Sequence, residues 1–394
     1  MIIKPRIKGF LCTTAHPSGC DVDVAEQIAH VKRSGSIVGG PGRVLVIGAS
    51  GGYGLASRIT AAFGCGAATL GAFFERPAVK NRTASAGWYK SAAFTRQAEA
   101  AGLYARNING DAFTEEFKQR TIETIKADLG QVDMVIYSLA APTRTMADGT
   151  VYRSVLKPIG QPFDGVTIDI NTSEIRPVSL APATDQEITD TVKVMGGEDW
   201  ELWIHALLEA DVLAEGCITT NYTYLGSEVT WPIYYHGTIG KAKEDLDRAA
   251  GALAGKLSPI NGSARVAVMK GVLTGASSAI PGMSLYLSLL FKAMKAAGNH
   301  ENCIEQTTRF FATRLFSVSK LDAAGRIRMD DWELSNEIQS YVRENWSKID
   351  AENLAELSDF EGYKTAFLQL HGFGFNGVDY EAEVEPSVDM SLVE

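Results

Sequence analysis

The segment RVLVIGASGGYGLASRI, residues 43–59, constrains the fold of this chain more than any other stretch. An apolar run from Arg43 to Ile47 has the character of a buried strand. It passes directly into Gly48, Ser50, Gly51, Gly52, Tyr53 and Gly54, and a helix-like pattern continues from Tyr53 to Phe63. Glycines between a strand and a helix permit a tight turn and let backbone approach a pyrophosphate, whose charge then rests at the positive end of the helix. Glycines alone would mean little; the order strand, glycines, helix carries the weight. Gly48, Gly52 and Gly54 follow a GxxxGxG spacing rather than the commoner GxGxxG.

A second strand within ATLGAFFERP ends at Phe74 and Glu75, about 20 residues past the last glycine, where an acid accepts hydrogen bonds from an adenosine ribose. Its charge repels a 2′-phosphate, which favours NAD over NADP, although Arg76 next to it is a competing phosphate ligand. Asp111 and Ala112, in NINGDAF, follow a third strand and are placed beside the adenine. Ser138, Leu139 and Ala140, in VIYSLAAP, end a fourth strand beside a ribose. Leu273, Thr274 and Ser277 lie in a Gly/Ser stretch expected near the phosphates.

Strand-like runs at Arg43 to Ile47, Ala68 to Phe74, Met134 to Leu139, Ala214 to Tyr224 and Ala264 to Val268 alternate with helix-like stretches. The helical stretches are Tyr53 to Phe63, Ser85 to Ala101, Glu115 to Leu129, Thr238 to Lys256 and Ser284 to Ala297. This alternation predicts an α/β chain of Rossmann type, doubly wound, with a mainly parallel sheet and helices on both faces. Without repeats or linkers the chain reads as one elaborated domain over 1–394. The cofactor part covers about 40–145 and the catalytic and substrate part about 200–330; between them, about 150–199 is a Pro-punctuated, β-like insertion near a substrate mouth. Residues from about 331 to 394 form a C-terminal cap, and the residues before the first strand an N-terminal extension.

A 394-residue chain with 45% hydrophobic residues can bury a substantial core. Its longest apolar runs are far shorter than the roughly 20 residues of a membrane span, so no span is expected. MIIKPRIKGF lacks the apolar core of a secretory signal, and five scattered cysteines form no CxxC pair; a cytoplasmic, reduced environment is the expectation. The spacing of Cys12, His16 and Cys20 matches no zinc pattern, and no metal is expected. A net charge of −10 disfavours nucleic acid. An acidic carrier, by contrast, would need a local basic patch.

The second informative segment is NYTYLGSEVTWPIYYHGTIGKAKEDLDRAAGALAGKL. Tyr234 and Lys243 stand nine apart, which on one helix is about 900° and therefore opposite faces. Pro232 and Gly237 argue against helix before Thr238, which leaves Tyr234 on a loop and Lys243 in the second helical turn, free to face one cleft. Lys241 competes with Lys243 but lies about 200° away around the helix. Tyr235 competes with Tyr234, and spacing does not separate them.

On these residues the chain resembles the trans-2-enoyl-ACP and enoyl-CoA reductases of the FabV/Ter type, monomeric relatives of short-chain dehydrogenases. Tyr234-x8-Lys243 matches their hallmark, GASGGYG and FFERP match their cofactor segments, and GFLCTTAHPSGC and GVDYEAEV resemble their terminal signatures. The resemblance spans essentially the whole chain. It implies NADH as cofactor and an enoyl thioester on acyl carrier protein or coenzyme A as substrate, within fatty acid synthesis. It also implies hydride transfer to the β-carbon, with Tyr234 donating a hydrogen bond at the carbonyl oxygen. Lys243 would hold the nicotinamide ribose and favour a more acidic phenol, while Tyr224 would assist near the substrate. The apolar stripe from Met283 to Met294 reads as a plain buried helix, and the resemblance implies that a segment here covers the cofactor and cradles the acyl chain.

Overall fold

In the computed structural model, which describes residues 1–316 and 320–393, seven strands form one sheet. They are β1 (Arg43–Ile47), β2 (Ala68–Phe73), β3 (Ala105–Asn109), β4 (Val132–Tyr137), β5 (Leu213–Thr223), β6 (Ser263–Val268) and β7 (Ile327–Arg328). Their spatial order is 3-2-1-4-5-6-7 and every pair in the sheet is parallel. The order reverses between β1 and β4, and such a switch point opens a crevice at the carboxyl ends of the strands.

Both faces of the sheet are covered because successive side chains of a strand point to opposite sides. Leu45, Ile47, Val135 and Tyr137 join one apolar cluster, whereas Val44, Val46, Met134 and Ile136 join another. The first six helices in chain order are α1 (Pro17–Ser34), α2 (Gly52–Cys65), α3 (Ala86–Ala100), α4 (Glu115–Asp128), α5 (Asp185–Met195) and α6 (Glu198–Glu209). They are followed by α7 (Thr238–Leu257), α8 (Met283–Ala296) and α9 (Cys303–Phe310). In α7, Ala242, Leu246, Ala249 and Leu253 are buried at helical spacing, and this stripe holds the helix against the sheet. No helix of the described residues is long and apolar enough to cross a membrane.

The region expected as a β-like insertion keeps its strands but also carries a helix. Thr184 and Glu187 form a capping box that starts α5, downstream of the antiparallel hairpin Phe163–Ile168 with Ile175–Leu180. This hairpin packs on α8, where the Ile168 N–H donates to the Ser284 hydroxyl at 3.1 Å. Nearby, the Thr238 N–H donates to the Lys157 carbonyl at 3.0 Å, so the insertion also braces the start of α7. The C-terminal residues do more than cap. Helix Asn336–Trp346 and helix Phe360–Gln369 pack on α8, and the final segment returns to the sheet edge, where the Val393 N–H donates to the Asn107 carbonyl at 2.8 Å.

Candidate active site at the carboxyl edge of the sheet

Gly48 ends β1 with φ of +84°, and a Cβ there would lie 2.3 Å from the Ser138 carbonyl oxygen. A Cβ on Gly54 would stand 2.0 Å from the Gly48 carbonyl oxygen. No larger residue fits either position, so the turn after β1 packs backbone against backbone and presents the N-terminus of α2 at the crevice. Thr274 reaches this turn, since a Cβ on Gly52 would meet its Cγ2 at 3.4 Å. Leu273 is buried beside it, and the Thr274 N–H donates to the Ser277 hydroxyl at 2.8 Å. These contacts gather Gly48, Gly51, Gly52, Gly54, Leu273, Thr274 and Ser277 at one end of the crevice.

Glu75 follows β2 at the same edge. Its carboxylate accepts the Ser50 hydroxyl at 2.7 Å, and its N–H donates to Asn109 Oδ1 at 2.7 Å. It is therefore a fixed, half-buried acid rather than a loose surface one. Phe74 before it is 71% exposed and offers a free aromatic face. Asp111, also exposed, accepts the Phe113 N–H at 3.0 Å. Ala112 is buried and its carbonyl accepts the Trp203 indole N–H at 3.0 Å. Ser138, Leu139 and Ala140 follow β4, with the Ser138 N–H donating to the Ile47 carbonyl at 2.8 Å. Tyr53 departs from the sequence expectation: only its backbone lies at the turn. Its hydroxyl is taken up behind it by the Lys270 carbonyl at 3.0 Å and by the Gln306 side chain.

The catalytic candidates lie one strand further along the edge. Tyr224 follows β5, and its ring meets that of Tyr234 edge to face, with centroids 5.1 Å apart. Tyr234 sits in the loop before α7, where its carbonyl accepts the N–H groups of Gly237 at 3.1 Å and Gly240 at 3.0 Å. The residue therefore doubles as the brace for the first turn of α7. Tyr234 is 7% exposed, whereas Tyr235 is 38% exposed and packs against Trp231 and His236 outside. Lys241 is likewise outside, paired with Glu244 at 2.8 Å. Lys243 keeps only a partial solvent exposure and is otherwise enclosed by protein.

Burial pushes the Lys243 ammonium down to about 8, opposed only by the charge of Asp247. Burial pushes the Tyr234 phenol above its ordinary range, with no offsetting effect of Lys243. The phenol acidification expected from Lys243 is therefore not found. At neutral pH, Tyr234 keeps its hydrogen and Lys243 its charge, so the loop and the helix it starts carry a donor and a cation.

No local pattern marks Glu333. It is fully buried beyond β7 and accepts hydrogen bonds from the Tyr224 hydroxyl at 2.8 Å and the Gly271 N–H at 2.6 Å, and a further one from the Tyr286 hydroxyl. Its partners lie 47 to 109 residues away, beyond any local pattern.

Comparison with known proteins gives the same result along the whole chain. Residues 82–316 match the family model described as the trans-2-enoyl-CoA reductase catalytic region, and residues 2–80 match the NAD(P)H binding domain of trans-2-enoyl-CoA reductase. Residues 321–384 match a model described as an enoyl reductase FAD binding domain. This last segment contributes β7 to the sheet and two helices to the packing on α8, with no strand–glycine–helix turn among its described residues. The chain is 58% identical to the NADH-dependent enoyl-acyl-carrier-protein reductase of Shewanella piezotolerans, and 57% to that of Serratia proteamaculans, with complete coverage of both chains in each case. Among solved structures, trans-2-enoyl-CoA reductase from Clostridium acetobutulicum in complex with NADH is similar at TM-score 0.95 and 42% identity, covering 98% of each chain. The Treponema denticola enzyme in complex with NAD is similar at TM-score 0.94 and 46% identity, covering 100% of each. The chain belongs to the trans-2-enoyl reductase family, NADH-dependent enzymes built on an elaborated Rossmann-type sheet.

Proposed function

We propose that this chain reduces the C2–C3 double bond of a trans-2-enoyl thioester, with Tyr234 and Lys243 as its catalytic pair. The observation that carries the reading is a mostly buried, protonated Tyr234, edge to face on Tyr224 and bracing the start of the helix that carries the enclosed Lys243 cation. NADH, when bound, supplies a hydride to the β-carbon. Negative charge then develops on the thioester carbonyl oxygen, where the Tyr234 hydroxyl donates a hydrogen bond; a preorganised donor of this kind contributes a few kcal/mol, about 100-fold or more in rate. Lys243 holds the nicotinamide ribose hydroxyls, and Glu75 accepts from the adenosine ribose. Gly48, Ser50, Gly51, Gly52, Gly54, Leu273, Thr274 and Ser277 surround the phosphates, with Phe74, Asp111 and Ala112 at the adenine and Ser138, Leu139 and Ala140 at the ribose. Tyr53 contributes its backbone, and Tyr224 supports the substrate side.

The carrier is acyl carrier protein or coenzyme A, and the names of the curated relatives favour the first. The enzyme acts as a cytoplasmic monomer and folds as one domain, since strands of all three matched segments enter one sheet. Loss of NADH absorbance on addition of crotonyl-CoA or a longer enoyl thioester tests the activity. Tyr234→Phe is expected to lower kcat about 100-fold or more with the fold intact; equal activity rejects the assigned role. Specificity constants for one acyl chain on both carriers, and the sedimentation mass, decide the carrier and the monomer.

A further inference from the structure

We propose that Glu333 is a positioning residue for the reduction, holding Tyr224 in place against Tyr234 and fixing Gly271 at the root of the segment that reaches the phosphate turn. The proposal rests on the reading of Tyr234 given above. A buried carboxylate is costly unless its acceptor sites are filled. Glu333 is fully buried, and its sites are filled by three donors from three elements. Tyr224 comes from the end of β5, Gly271 from the segment after β6, and Tyr286 from α8. Lys270 supplies the balancing cation; its ammonium is fully buried and donates to the Gly271 carbonyl at 2.9 Å.

Each tie bears on the active site. A phenol has one hydrogen, and that of Tyr224 is committed to Glu333, so the hydroxyl cannot swing and the ring stays edge to face on Tyr234 at 5.1 Å. Gly271 is three residues before Thr274, which packs over Gly52 of the phosphate turn. Gln339 locks the far side, donating to the Tyr286 hydroxyl at 3.3 Å and to the Glu333 carbonyl at 2.8 Å. The C-terminal segment therefore reaches the site through one carboxylate.

The test is a double-mutant cycle on kcat and KM with Tyr224→Phe, Glu333→Gln and their combination, using NADH and an enoyl thioester. Glu333→Gln is expected to lower kcat about tenfold while KM for the thioester moves less than about threefold, and to cost less than about threefold in kcat once Tyr224 is Phe. An equal fold-loss in both backgrounds, or a loss confined to KM, overturns the proposal. Should Glu333→Gln not fold, Tyr286→Phe serves, because it removes a donor from Glu333 and leaves the Tyr224 hydroxyl its own bond to the carboxylate. Its kcat is expected to stay well above that of Tyr224→Phe, and an equal fall overturns positioning through Tyr224. Failure of the parent reading is distinct: the unaltered chain would then oxidise no NADH with any enoyl thioester, and this proposal would fall with it.

Discussion

The Ser50 hydroxyl donates to the Glu75 carboxylate at 2.7 Å, tying the glycine turn after β1 to the end of β2. This bond fixes a negative charge where an adenosine ribose is expected, and the charge opposes a 2′-phosphate while accepting from a 2′-hydroxyl. Glu75→Ala is therefore expected to lower the ratio of kcat/KM for NADH over NADPH by about tenfold or more, with Arg76 left to attract phosphate. An unchanged ratio would remove Glu75 from the ribose site.

The glycine turn separates two kinds of requirement. A Cβ at Gly54 collides with the Gly48 carbonyl, whereas a Cβ at Gly51 meets nothing within 4 Å. Gly54→Ala is expected to lower both Tm and NADH affinity. Gly51→Ala is expected to leave Tm within about 2 °C while weakening NADH about tenfold, because only the incoming pyrophosphate needs that space. Thermal melts and NADH fluorescence titrations of the two variants check the contrast.

The parts of this molecule legible in its sequence are those whose physics is local. β1 from Val44 and β4 from Met134 are buried on both faces and read as unbroken apolar runs, and the glycines after β1 mark the turn because a strand precedes them and a helix follows. Helix α7 is legible because Pro232 and Gly237 forbid an earlier start and the stripe from Ala242 to Leu253 demands burial. β7, two residues long, and the polar tail that pairs at Asn107 carry no periodicity to read. Tyr234 and Tyr235 are equivalent in spacing and differ only in burial, which tertiary packing decides. Tyr53 reads as a cleft residue from its place in the motif, yet its hydroxyl is taken up by the Lys270 carbonyl and Gln306.

Lys243 gives the reaction a basic limit. Its folded-state value near 8 lies below the 10.5 of an exposed lysine, so the cation proposed to hold the ribose is present below about pH 8 and lost as pH rises through it. In the free enzyme, kcat/KM for NADH is expected to fall above about pH 8. The stability sign is opposite: between about 8 and 10.5 the unfolded chain binds more protons, so the folded state gains stability as pH rises through that window. Lys243→Met is accordingly expected to raise Tm at pH 7 by about 2–4 °C while abolishing turnover. A flat kcat/KM profile from pH 7 to 10, or a lowered Tm for the variant, would contradict the enclosure described for this side chain.

His300 sets the corresponding acid limit of the fold. Its ring packs edge to face on Phe291 with centroids 4.5 Å apart, and burial, aided by the charges of Lys270 and Lys295, depresses it to about 3. A histidine whose folded value lies below 6.5 binds its proton in the unfolded chain first. The stability it contributes is whole above about pH 6.5 and is lost as pH falls toward 3, by up to about 1.4 kcal/mol per pH unit. His371, depressed to about 4 by burial and by Lys90, adds to the same slope down to that point. Urea unfolding midpoints measured from pH 7 to 4 are expected to decline, and His300→Asn, which cannot take up a proton, to decline less steeply whatever its starting stability. Parallel slopes for the two proteins would show that His300 is free to protonate in the folded state, and that its packing on Phe291 opens at no measurable cost.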